Sequence, residues 1–576
     1  WVYPVSHPTN GGSVKFTVGS LDVNATGGFD ATGRGFQGGT NGLNGFGPGR
    51  GYSSSSTTDR GGGGGYGAQG MTFNLAIGGY PYGSASMPTQ PGSGGGAQKN
   101  SLSSVGGYGG GLVWVEASGD VLMDGTINAN GGEATGNSGA GSGGGVYLRC
   151  STFAGAGSIT ANGGSSYVGG GGGRIAVVYT DLTAQALLSP AVRFNATSTV
   201  SNGTRGFDQG SLYFPDTTFF PYPTIFGSYN IAIPTMVPTW NGSSLVVTNG
   251  EVHFPGGCSL NLSGDLAIGK GGIVIFTNNP EIACANLSVT NGGIAHFYAE
   301  ATNGVAPGYG AKVQVAGTLR VGAGSTANVY SERYTGGSVF VDAGALQVEA
   351  GGLINADGRG YAGGTGRGVN GYGLGGGKGD WGTDRGGGAG YGGKGASTTA
   401  DGGKAKGGAI YGTAELPLLP GSGGGGKSSA TAAFGGGLVW MRVRGNSHVD
   451  GIVSANGAAA TGWTLGDGSG GGILLDCGSL SGSGTIRANG GQIAGTSGAH
   501  GGGGRIAVWQ GVPDFYRAKY LAGKFGGATV SSVAPASFTG SATAACGTLG
   551  YTGEKAEPGT VVFLTAPPLA TTILVR

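Results

Sequence analysis

The sequence predicts an all-β chain: a right-handed parallel β-helix (solenoid) with two glycine-rich modules that contain packed, extended polyglycine segments. Three observations lead there. Short segments alternate apolar and polar residues and are closed by Asn-Gly, Gly-Gly or Ser-Gly. Nowhere does a helical period or a long run of helix-forming residues stand out. One large glycine-rich block is also present twice, as in repeat architectures where each unit buries its apolar face against the next.

Composition sets the frame for these elements. The chain has 139 glycines among 576 residues, with 38% hydrophobic and 10% charged residues; glycine usually makes up roughly 7%. Glycine loses more backbone freedom on folding than any other residue, so glycine runs are ordered only where backbone hydrogen bonds or close approach offset that loss. A flexible linker has no need of the valines, isoleucines and tyrosines interspersed here. Collagen is excluded, because glycine keeps no strict every-third register and there are only 22 prolines. With a net charge of +2 and no basic stripe, nucleic acid is not an expected partner. No apolar run approaches the ~18 residues of a membrane span. The opening "WVYPVSHPTN" carries neither an initiator methionine nor a signal peptide and reads as a processed product or a fragment.

The first module covers residues 1–220 and the last, its second copy, residues 336–576. "GGSVKFTVGSLDVNATGGFDATGRGFQGGT" at 11–40 aligns with "GGSVFVDAGALQVEAGGLINADGRGYAGGT" at 336–365. "TDRGGGGGYG" at 58–67 answers "TDRGGGAGYG" at 383–392, and "PGSGGG" from Pro91 answers the same string from Pro420. "GGGLVW" ends at Trp114 and again at Trp440; "VYLRC" ends at Cys150 and "ILLDC" at Cys477. "GGGGGRIAVVY" at 169–179 returns as "GGGGRIAVW" at 501–509. Inside each module a shorter unit recurs: "GTINANGG" from Gly125 and "GSITANGG" from Gly157, then "GIVSANGA" from Gly451 and "GTIRANGG" from Gly484. The starts lie 32 and 33 residues apart, a period that marks a solenoid or array. A chain that leaves such a stack, lies flat on its neighbours and re-enters needs backbone free of side chains, and this is the expected reason for the glycine runs.

Residues 221–335, between the modules, read as plain parallel β-helix. The pairs Leu245/Val247, Val252/Phe254, Leu260/Leu262, Leu266/Ile268 and Ile273/Ile275 alternate as half-buried strands do. Cys258 and Cys284 are expected on neighbouring coils, ~4.8 Å apart, where a disulfide is possible.

The segments "GGGGGY", "GAGSGGG" and "GGGGRIAV" resemble those of large glycine-rich bacterial surface proteins, and more loosely the glycine-rich domain of the anaplastic lymphoma kinase receptor family, whose polyglycine helices pack in a bundle. The middle segment is similar to the β-helical passengers of autotransporter adhesins. These resemblances imply extracellular or cell-surface display and carry over no catalytic residue.

Candidate sites divide into those both copies keep and those that stand alone. Asp59-Arg60 and Asp384-Arg385 recur, as do Arg174 and Arg505, and Trp114 and Trp440. The arginines suit either sugar binding or, as the favoured reading, the tethering of backbone carbonyls by five fixed donors. The indoles suit sugar stacking or, again favoured, packing. Sequons at Asn24, Asn195, Asn202, Asn241, Asn261 and Asn286 are candidate glycan acceptors. The acids of the middle segment, Glu251, Asp265, Glu281 and Glu300, share no spacing of the kind a polysaccharide-cleaving pair requires. The five histidines show no ligand spacing, and no glycine run continues into a phosphate loop. The expectation is therefore a structural protein without cofactor or metal: the subunit of a self-assembling surface filament or a rigid adhesin stalk, not an enzyme. The alternative is a carbohydrate-active or carbohydrate-binding β-helix protein, with surface glycans as partners. Head-to-tail self-association is expected, the C-terminal strand of one chain meeting the first strands of the next.

Overall fold

The computed structural model describes residues 1–54, 60–73, 75–99, 103–188, 190–199, 209–215, 225–232, 239–254, 256–304, 308–382, 385–398, 405–427, 430–462, 464–492, 499–547 and 554–567. Over these the chain is nearly all β, and its ladders are mostly parallel. It divides into two compact units, residues 1–255 with 272–274, and residues 256–271 with 275–576.

In the second unit the alternation seen in the sequence becomes a column of stacked rungs. Leu266 pairs in register with Leu287, Leu287 with Leu319 and Leu319 with Leu346, and all four are buried. Ile268, Val289, Val321 and Val348 form a second buried column two residues on, because successive side chains of a strand point to opposite faces. Phe276 and Phe297 stack with ring centroids 5.6 Å apart. Like side chains thus lie over like, rung above rung.

The 32- and 33-residue periods are rung spacings. Thr126–Asn128 pairs with Ser158–Thr160 in the first unit, and Ile452–Ser454 with Thr485–Arg487 in the second. The "ANGG" unit follows each of these strands and is held by two ladders. The alanines Ala129, Ala161, Ala455 and Ala488 are buried, where a larger side chain has no space. The asparagines reach across: Asn130 Oδ1 accepts from Asn162 N at 2.8 Å, and Asn456 Oδ1 from Asn489 N at 2.8 Å.

After the first strands of each module the chain leaves the rungs on a long excursion. Side-chain hydrogen bonds bring its ends together across 99 residues in both copies, from Ser118 Oγ to Gly19 O and from Asn456 N to Asp357 Oδ1. The glycine runs of successive excursions bond to one another within a module. Gly64 N donates to Ala140 O, Gly171 N to Gly64 O and Gly143 N to Gly171 O, each at 2.8 or 2.9 Å. The last glycine before the re-entry strand donates to the "ANGG" alanine: Gly173 N to Ala161 O and Gly504 N to Ala488 O, both 2.7 Å. That bond is what ties "GGGGRIAV" to its place, since glycine alone lets the two backbones approach so closely.

Two expectations are corrected. A helix does form at Asp514–Leu521, directly after Pro513, with Asp514 in its first turn and Lys519 in its last, both favourable to the helix dipole. It seats buried Tyr520 against Trp509, Trp440 and Leu564; a four-residue helix, Leu182–Gln185, occurs in the first unit. Second, Cys258 and Cys284 are unbridged. Register pairs Ser259 with Glu281 and Asn261 with Ala283, so Cys284 falls opposite Leu262 and lies four positions, about 13 Å, along the strand from Cys258. A disulfide spans less than ~7 Å between Cα atoms. The C-terminal strand Thr560–Thr565 pairs parallel with Arg505–Gln510 along its length and, over Phe563–Thr565, antiparallel with Thr529–Ser531. Thr560–Val562 carry a strand on one edge only among the described residues, and the segment expected to make the head-to-tail contact lies mostly at 568–576, outside them.

The thiols yield a first prediction. Cys150, Cys258, Cys284 and Cys477 are buried, and burial pushes each thiol up to about 12, so that hardly any thiolate exists at pH 8. Ellman titration of native protein at pH 8 should count the half-buried Cys546 alone, and all five cysteines after denaturation. Fewer than five under denaturing, non-reducing conditions would reinstate a bridge.

Candidate functional site: a duplicated arginine–tyrosine clamp

Arg174 and Arg505, each placed at the first position of a re-entry strand by its glycine run, occupy the same surroundings in the two units. Arg174 Nε donates to Tyr82 O at 2.9 Å and Nη1 to Ser211 Oγ at 3.0 Å. Arg505 Nε donates to Tyr411 O at 3.0 Å and Nη1 to Thr560 Oγ1 at 3.2 Å. The guanidinium carbon lies 5.6 Å from the Tyr66 ring centroid in one unit and 5.6 Å from the Tyr391 centroid in the other.

A second layer repeats as faithfully. Tyr66 packs on Tyr82 at 4.7 Å and Tyr391 on Tyr411 at 4.5 Å. Tyr82 Oη donates to Pro91 O at 2.5 Å and accepts from Ser93 Oγ at 2.9 Å; Tyr411 Oη donates to Pro420 O at 2.6 Å and accepts from Ser422 Oγ at 3.0 Å. The serines of "PGSGGG" also fasten neighbouring runs. Ser93 Oγ accepts from Gly49 N and Ser422 Oγ from Gly375 N, both at 3.0 Å, while Ser93 N and Ser422 N donate to Ser142 Oγ and Ser469 Oγ at 2.9 Å.

The electrostatics are those of a cation held by dipoles and ring faces rather than by a carboxylate. Burial pushes the phenols of Tyr66, Tyr82, Tyr391 and Tyr411 above the ordinary tyrosine range, so they stay neutral. Burial also pulls Arg174 and Arg505 below the ordinary arginine value, which still leaves both charged at neutral pH. Tyr66 Oη and Tyr391 Oη lie toward the backbone of Gln90 and Leu419, at a geometry that makes no hydrogen bond. Tyr66, Tyr391, Arg505 and the serines are buried, while Arg174, Tyr82 and Tyr411 are half-buried; bonded within the molecule, the group has the chemistry of a fastener.

The other duplicated positions differ more. Asp59 and Asp384 lie outside the described residues. Arg60 is held between aromatic rings, 3.1 Å from the Tyr167 centroid and 4.5 Å from that of Phe73, whereas Arg385 pairs in an antiparallel ladder opposite Asp380. Trp114 is half-buried: Lys15 Nζ covers its ring at 5.0 Å, and its Nε1 donates to Glu116 Oε1 at 3.0 Å. The hydrogen bond from Lys15, 2.8 Å away, holds the Glu116 carboxyl below its usual range. Trp440 is buried against Phe340, 4.6 Å between centroids.

Among the sequons, Asn24, Asn241, Asn261 and Asn286 are exposed, Asn195 is half-buried and Asn202 lies outside the described residues. The Asn286 side chain works between rungs, donating to Asp265 Oδ1 at 2.9 Å and accepting from Thr318 N at 2.9 Å. Among the described residues no three His, Cys, Asp or Glu side chains converge on a metal-sized site, and no helix is long and apolar enough to cross a membrane.

The tyrosines and serines of the clamp were not singled out in the sequence. Their signal was available, since "GYG" at 65–67 and 390–392, "PGSGGG" and the serine of "GAGSGGG" recur at matching offsets, but a tyrosine beside glycines reads as ordinary core. Comparison of the chain with family models, with curated proteins and with solved structures finds no match.

Proposed function

We propose that this chain is an extracellular structural protein without enzymatic activity: a right-handed β-helix stiffened by two modules of packed polyglycine, serving as the stalk of a surface adhesin. One observation carries the reading. The polar residues of the clamp, kept at matching places in both copies, are used up inside the molecule, where Arg174, Arg505 and the "PGSGGG" serines bond backbone carbonyls, amides and hydroxyls of adjacent runs. Repetition of a fastener serves stiffness; repetition of a catalytic group would leave its reactive atoms facing a cleft. The subunit of a self-assembling surface filament is the second reading of the same architecture.

Negative-stain microscopy of the purified chain should show single, uniformly narrow, elongated particles whose length does not grow with concentration, and limited proteolysis should spare the glycine runs. Concentration-dependent filaments would restore the filament reading. Cleavage of any neutral or acidic polysaccharide by the pure protein would overturn the structural reading altogether.

A further inference from the structure

In the second unit a cavity of about 780 Å³ opens beside the loop that follows strand Thr326–Tyr330, within the ~300–1,000 Å³ usual for small-molecule sites. Its walls combine flat aromatic surface with fixed polar groups. Tyr298 and Tyr330 face each other in register on adjacent strands, ring centroids 3.9 Å apart, and the Arg359 guanidinium covers Tyr330 at 4.6 Å. Tyr334 stands 54% exposed at the mouth and makes an edge contact, 4.8 Å, with Tyr372, itself 42% exposed. Glu332 Oε2 accepts from Tyr334 N at 2.8 Å and from Thr335 N. These amides hold its carboxyl below the usual range although burial opposes them. A carboxylate accepts about four hydrogen bonds, so acceptor capacity toward the cavity remains.

Internal duplication separates what this loop needs for folding from what it carries besides. The first unit has the same loop: Ser13 Oγ donates to Ser6 Oγ at 2.7 Å as Ser338 Oγ does to Ser331 Oγ at 2.8 Å, and Gly11 N donates to His7 O as Gly336 N does to Glu332 O. Ser6, Gly11 and Arg34 match Ser331, Gly336 and Arg359. At the places of Tyr330, Glu332 and Tyr334, however, the first unit has Val5, His7 and Thr9. The loop closes without the aromatic rings and the carboxylate, so folding does not explain their presence.

We infer that the cavity bounded by Tyr298, Tyr330, Glu332 and Tyr334 is a binding site for a neutral oligosaccharide. The apolar C–H face of a pyranose ring packs on an exposed tyrosine, and its hydroxyls donate to an oriented carboxylate. The nearby charges balance, Arg333 and Arg359 against Glu300 and Glu332, so a neutral ligand meets no uncompensated charge. This goes beyond the stalk reading and does not depend on it.

The test is calorimetric titration of the full chain with cellohexaose, xylohexaose, mannohexaose and chitohexaose, with oligogalacturonate as the acidic counterpart. Saturable binding of at least one neutral hexaose is expected. Tyr334→Ala and Glu332→Gln should each weaken it by about tenfold or more, with the melting temperature unchanged. Tyr80→Ala, an exposed tyrosine of the first unit, should leave it intact. The inference is overturned if no neutral hexaose binds at millimolar concentration, if only oligogalacturonate binds, or if binding survives both cavity substitutions.

Discussion

Gly172→Ala should cost at least about 4 kcal/mol, in the exceptional tail for a single substitution, although it adds one methyl group to a chain of 576 residues. A Cβ at that position would fall inside the van der Waals envelope of Ala196 O and 2.6 Å from Gly210 N, both of them backbone atoms. Backbone cannot rotate aside as a flexible side chain does. Gly210 N is in turn bound to Ala196 O at 2.8 Å, so the run cannot shift without breaking the bond that seats the next re-entry. The control is Gly19→Ala in the same unit, where a Cβ meets nothing within 4 Å. It should be neutral, or stabilise by up to about 1 kcal/mol through the unfolded chain. Thermal unfolding of the two variants side by side is the measurement. Equal melting temperatures would mean that the glycine runs are not packed against one another in solution.

Replacing Arg505 by methionine should destabilise by about 2–4 kcal/mol. Methionine has similar reach and fills the volume, but it donates nothing to Tyr411 O or Thr560 Oγ1 and presents no cation to the Tyr391 ring. Arg505→Lys should recover only part of the loss, because one ammonium cannot serve both acceptors in the planar geometry of the guanidinium while facing the ring. Arg174→Met should act likewise in the first unit. A loss below about 0.5 kcal/mol for both methionine variants by chemical denaturation, the range of ordinary surface changes, would reduce the clamp to a coincidence of packing.

What could be read from the sequence was set by period. The 32- and 33-residue spacing of the "ANGG" units is the step between rungs, and side-chain bonds at that separation, such as Asn162 N to Asn130 Oδ1 and Asn489 N to Asn456 Oδ1, confirm it pair by pair. The alternation of Leu266/Ile268 likewise gave both the strand and its buried face. The same logic misplaced the cysteines, because the rungs near them are shorter. Asn286 reaches Asp265 at a separation of 21 residues, and the 26 between Cys258 and Cys284 fits no rung. The helix Asp514–Leu521 escaped because its eight residues carry charges and aromatic rings without a long apolar stripe. Only docking of Tyr520 into the cluster around Trp509 makes that segment worth folding. For the clamp, residue identities were visible but convergence was not, since Arg174 meets Tyr82 across 92 residues of chain that leave and re-enter the rungs on a path no local pattern records.

The asparagine ladder has a chemical consequence for the lifetime of the molecule. Asparagine followed by glycine is the sequence most prone to spontaneous deamidation, in which the glycine nitrogen attacks the asparagine side-chain carbonyl carbon and closes a succinimide ring. The "ANGG" units place four such pairs in series, at Asn130, Asn162, Asn456 and Asn489. In the folded chain the attacking nitrogens are engaged elsewhere: Gly131 N donates to Asn162 O, Gly163 N to Thr197 O, Gly457 N to Asn489 O and Gly490 N to Ala545 O. Each side-chain carbonyl is pinned as well, by the backbone N–H of the next rung. Ring closure would need nitrogen and carbonyl to leave their partners together. At these four positions the arrangement that sets the register therefore also suspends the ageing reaction the motif invites, and the clock at them runs only where the rungs have come apart.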